Sequence, residues 1–63
     1  MMEVAKMLND RQAAEFLNVG LQTLRNWRSQ HRGPSYHRLG RLIRYSGTDL
    51  ERYLESKKIK VNG

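Results

Sequence analysis

The 63-residue chain is long enough for one domain only, since a chain of this size buries about 60% of its unfolded surface and cannot divide a core in two. Cysteine is absent and His31 and His37 are the two imidazoles, which excludes disulfide staples and a structural zinc site. No apolar run approaches the roughly 18 residues of a membrane span, and the start Met1-Met2-Glu3-Val4-Ala5-Lys6 lacks a basic segment followed by an apolar one, so the chain reads as soluble and cytoplasmic.

Residues 1–7 show no period and read as a flexible arm before a domain over residues 8–57. Asn9 can cap the first turn of a helix over residues 10–17, with Gln12 completing a capping box and Asp10 at the positive helix end. Ala13, Ala14 and Leu17 form its apolar stripe, with Phe16 at the edge. Asn18-Val19-Gly20 then breaks the pattern: Asn tolerates a left-handed conformation, Val19 can pack inward, and Gly20 can cap the next helix.

A second helix is predicted from residue 21 to about residue 30, stopped by Gly33-Pro34. Leu24 and Trp27 mark its buried side, with Thr23 beside them. Gln22, Arg25 and Ser29 point away, Asn26 flanks them, and Leu21 and Arg28 lie at the border with the core. Over residues 36–45 the period turns extended, and a β-hairpin with its tip at Gly40-Arg41 is predicted. A two-residue loop suits Gly40 in a type II′ turn. A three-residue loop instead pairs Leu39 with Ile43 and puts Arg38 and Arg44 on the opposite face, and it is preferred because it separates apolar from basic groups. A third helix opens at the capping box Thr48-Asp49-Leu50-Glu51, with Leu50, Tyr53 and Leu54 as its inner stripe and Lys57-Lys58 at its negative end. Residues 58–63 read as a flexible basic tail. The fold class is thus mainly α with a small β-hairpin: a winged helix-turn-helix with a two-stranded wing and a third helix.

Charge gives this architecture a partner. The formal charge is +6 and the isoelectric point near 10.3, above the value of about 9 that marks nucleic-acid binders. Eight of the twelve cations are Arg, most of them between Arg25 and Arg44, with the acids on either side. The planar fork of Arg gives two parallel hydrogen bonds to guanine O6/N7, and the amides of Gln and Asn match adenine N6/N7. Gln22, Thr23, Arg25, Asn26 and Ser29 are therefore the candidate base-reading residues, and Arg28, Arg38, Arg41 and Arg44 the candidate backbone and wing contacts of double-stranded DNA. The wing arginines can alternatively guard a sheet edge against aggregation. Trp27 at helical spacing from Leu24 is a core residue and not a base-stacking platform. His31 and His37 lack the spacing of a metal site and read as surface residues. Catalysis needs a nucleophile beside a base or a pair of titrating groups in a pocket; the four serines sit in no nucleophile elbow and the acids cap helices, so no enzyme, metal or cofactor is expected. A protein-interaction adaptor using the third helix and the tail is the remaining class.

The run LNDRQAAEFLNVGLQTLRNWRS followed by GPSYHRLGRLIRYSGTDLERYLES resembles the small winged helix-turn-helix proteins of the excisionase/AlpA type, relatives of the MerR DNA-binding domain. The resemblance is carried by Ala13-Ala14, Leu17, Val19, Leu24 and Trp27 in the two helices, Gly40-Arg41 in the wing, and Asp49-Leu50 with Leu54 in the last helix. It implies that the second helix enters the major groove, with Gln22, Thr23, Arg25 and Asn26 on bases, and that Arg41 on the wing meets phosphate. It implies a phage- or mobile-element role: an excisionase bending DNA beside an integrase and beside further copies of itself, or alternatively transcription regulation. Gly20 and Leu21 stand where the family often has Ser or Thr and then a polar residue. The long dimerising helix and effector domain of full MerR regulators are missing, so no small-molecule ligand is expected.

Overall fold

The structure, a computed structural model, describes residues 6–61. The expected arm over residues 1–7 lies mostly outside that span, but Met7 belongs to a strand. β1 (Met7–Leu8) pairs antiparallel with the end of β3 (Leu42–Ser46), Met7 opposite Ser46 and Leu8 opposite Tyr45. Two residues are too few to show a period, which is why the sequence reads as an arm there. The contact is extended by the Gly47 N–H, which donates to the Lys6 carbonyl at 3.1 Å.

α1 (Asp10–Leu17) starts as expected. The Gln12 N–H donates to Asn9 Oδ1 at 2.8 Å and the Asn9 N–H to Gln12 Oε1 at 3.0 Å, so the capping box satisfies two otherwise orphaned donors. Asn18 ends the helix in the left-handed region (φ 58°), and the Val19 N–H reaches back to the Ala14 carbonyl at 3.0 Å. Gly20 then opens α2 (Leu21–Ser29) without any side-chain cap. α2 ends by the same device, ahead of the expected Gly-Pro stop: His31 takes φ 58° and the Arg32 N–H bonds the Trp27 carbonyl at 2.7 Å. His is among the side chains that tolerate this region.

β2 (His37–Leu39) and β3 form the expected two-stranded wing, and β1 adds to the other edge of β3, so the sheet order is β1-β3-β2. The register is His37 opposite Arg44, Arg38 opposite Ile43 and Leu39 opposite Leu42. This overturns the three-residue loop. Gly40 has φ 65° while Arg41 does not enter the positive region, the pattern of a two-residue type II′ turn. Turn geometry therefore outweighs the separation of apolar from basic groups. Arg38 shares a face with Ile43, whereas Arg44 lies with Leu39 and Leu42 on the other face, and both leucines are more than half exposed.

α3 (Gly47–Ser56) begins two residues earlier than the Thr48 box implies, because Ser46 is the cap: its Oγ accepts from the Asp49 N–H at 3.0 Å. Leu8, Ala13, Ala14, Leu17, Leu24, Tyr45 and Leu50 form the core, with Val19, Leu21, Trp27, Tyr36, Ile43 and Tyr53 packed around it. Leu54, expected on the inner stripe, is 44% exposed. Of the expected tail, residues 58–61 are exposed and carry no helix or strand.

Candidate nucleic-acid interface

The exposed side of α2 is held in place by its opposite side. Leu24 is almost fully buried, and Trp27 is partly buried with its ring 6.0 Å from that of Tyr53. The loop after α2 closes over the indole: a Cβ on Gly33 would stand 3.1 Å from Trp27 Cε3. With Leu24 and Trp27 anchored, the 3.6-residue period leaves Gln22, Thr23, Arg25, Asn26 and Ser29 exposed, including Thr23, which sequence spacing set beside the core.

These groups carry defined polar contacts. Gln22 Nε2 donates to Asn26 Oδ1 at 3.0 Å across one helical turn. Gln22 keeps its carbonyl oxygen and a second N–H, the pair that adenine recognition uses. Arg25 Nε donates to Asp10 Oδ2 at 3.0 Å, and among the described residues its terminal nitrogens have no hydrogen-bond partner. Partial desolvation pushes the Asp10 carboxyl upward, but the hydrogen bond and charge of Arg25, the Arg11 backbone N–H and the charge of Arg28 outweigh it and hold the carboxyl below its ordinary value.

Arg28 has a different setting from its neighbours. Its Nη1 donates to the Tyr45 hydroxyl at 3.2 Å and lies 4.0 Å from Asp10 Oδ2, and its guanidinium carbon is 6.0 Å from the centre of the Tyr36 ring. One cation thus ties α2 to α1 and to the sheet. Tyr45, the largest of the fully buried side chains, keeps its hydroxyl satisfied this way. Sequence spacing shows none of these three contacts, because each joins α2 to a separate part of the chain.

On the wing, Arg38 and Arg41 are exposed, whereas Arg44 folds back so that Nη1 donates to the Ile43 carbonyl at 2.8 Å. The three arginines therefore occupy two faces and the tip of one hairpin. His37 Nε2 lies 3.9 Å from Asp49 Oδ2, a contact between wing and α3. Among the described residues no group of three His, Cys, Asp or Glu is clustered as a metal site, and no helix is long and apolar enough to cross a membrane.

A family model described as a helix-turn-helix domain matches residues 7–58, and this family includes small excisionase- and AlpA-like DNA-binding domains. No curated protein matches the chain. The matched span takes in every element from β1 to α3 and supports DNA as the partner.

Proposed function

The chain belongs to the helix-turn-helix domain family, and on that premise we propose that it binds double-stranded DNA sequence-specifically, with α2 in the major groove and the wing on the neighbouring backbone. The observation that carries this reading is the composition of the exposed α2 face, where Gln22, Arg25 and Asn26 place two amides and a guanidinium side by side. With its side chains an α-helix is about 10–12 Å across, so α2 fits a major groove about 12 Å wide, and its nine residues run about 13.5 Å along it. Thr23 and Ser29 flank the reading face. Arg38, Arg41 and Arg44 neutralise phosphates, and Arg28, whose guanidinium is engaged by Tyr45, sets the angle of α2 before it meets backbone.

The role assigned to it is that of an excisionase: a cytoplasmic protein of phage or mobile-element type that bends DNA beside an integrase, with copies side by side. This rests on the resemblance and on the strongly basic charge of the chain, formally +6. Footprinting on attachment-site DNA combined with a circular-permutation bending assay tests it. Several adjacent protected segments and a bent complex are expected. A single unbent site upstream of a gene would favour transcription regulation, and salt-independent or absent binding would favour an adaptor.

A further inference from the structure

An acid on a surface meant for phosphates needs a reason. Residues 16–48, which include all of α2 and the wing, contain no Asp or Glu, so the carboxylate beside Arg25 comes from α1, 15 residues earlier in the chain. Asp10 is not the cap of that helix, since Asn9 makes both capping-box bonds. Its side chain is 23% exposed and reaches across to Arg25 at 3.0 Å, with Arg28 at 4.0 Å. Near DNA such a charge repels phosphate and lowers affinity for any sequence.

The geometry of the contact shows what it provides. Asp10 takes Nε, the one guanidinium nitrogen that end-on pairing with guanine does not need, and leaves both terminal nitrogens without a partner among the described residues. A free Arg side chain can swing to any phosphate nearby; one fixed at Nε presents its two Nη groups in a single direction. We infer that Asp10 is a positioning residue that fixes Arg25 to read one guanine and withholds it from phosphate. The inference rests on the proposed DNA reading, and it assigns specificity to a residue that touches no base.

The test uses the full chain and a preferred duplex selected by it from a random-sequence library. Each G·C pair of that duplex is replaced in turn by A·T, and binding is measured for wild type, Asp10→Asn, Arg25→Ala, the double variant and Asp10→Glu. Wild type should lose about tenfold or more at one G·C pair, the range of a single bidentate contact. Asp10→Asn should shrink that loss to about threefold or less and bind a scrambled duplex more tightly. In the Arg25→Ala background Asp10→Asn should leave base preference unchanged, and Asp10→Glu, with Arg25 present, should keep part of the discrimination that Asp10→Asn loses. If Asp10→Asn is unfolded by circular dichroism, Asp10→Ser replaces it in the same comparison. Full discrimination retained in the variant, or equal weakening on every duplex, would show that Asp10 only clamps α1 to α2. A wild type without salt-dependent DNA binding would instead remove the DNA reading and this inference with it.

Discussion

Two glycines with positive φ offer a direct test of how the loops hold the site. Gly40 at the wing tip has φ 65° and Gly33 after α2 has φ 85°. An alanine at either position bears the left-handed penalty of about 1–2 kcal/mol. The surroundings then separate them: nothing lies within 4 Å of a Cβ on Gly40, whereas a Cβ on Gly33 would stand 3.1 Å and 3.2 Å from two carbons of Trp27. Forcing that contact adds an overpacking cost of about 1–3 kcal/mol. A domain of 63 residues has roughly 3–9 kcal/mol in total, and each kcal/mol moves Tm by about 4–8 °C. Gly40→Ala should therefore lower Tm modestly and leave the emission of Trp27, the one tryptophan of the chain, unchanged. Gly33→Ala should lower Tm about twice as far and shift that emission. Equal losses in thermal melts followed by circular dichroism would refute the packing argument.

Asp10 also makes stability depend on pH. Its folded pKa is depressed, so the unfolded chain binds the proton more readily; the stabilisation is complete above the ordinary carboxylate value and disappears as pH falls through the lower folded one. Urea unfolding of wild type and Asp10→Asn should accordingly differ near neutrality and converge in strong acid; a gap that persists there would rule the linkage out. Tyr45→Phe removes the acceptor for Arg28 and should cost about 1.5 kcal/mol, the low end for a charged hydrogen bond because the Arg28 side chain is 21% exposed. An unchanged urea midpoint would show that Arg28 is not a strut.

The helix-turn-helix was legible in the sequence because its punctuation is local. Asn9, Gln12, Asn18 and Gly20 act on backbone groups within a few residues, and they set the observed limits of α1 and the start of α2. The start of α3 was misread because Thr48-Asp49-Leu50-Glu51 satisfies the same capping pattern as the true cap Ser46, which also ends a strand. The wing register was misread because apolar and basic residues alternate ambiguously around Gly40, and only its positive φ decides the loop. At the candidate site the exposure of Gln22, Arg25, Asn26 and Ser29 followed from periodicity, whereas that of Thr23, which spacing set beside the core, did not. The Asp10 to Arg25 contact and the burial of Tyr45 with Arg28 did not, since each joins elements whose approach depends on the packed core.

The central claim is that α2 reads and the wing anchors, and a salt series with Arg25→Ala and Arg41→Ala on a preferred and a scrambled duplex measures it most directly. If Arg38, Arg41 and Arg44 with two or three others neutralise phosphates, log K of the wild type should fall against log[salt] with a slope of roughly −5. Arg25→Ala should lose about 1–3 kcal/mol on the preferred duplex and much less on the scrambled one. Arg41→Ala should weaken both alike and reduce the slope by about one. A wild-type slope near zero would contradict the account outright, and a loss of sequence preference in Arg41→Ala with none in Arg25→Ala would make the wing the reader.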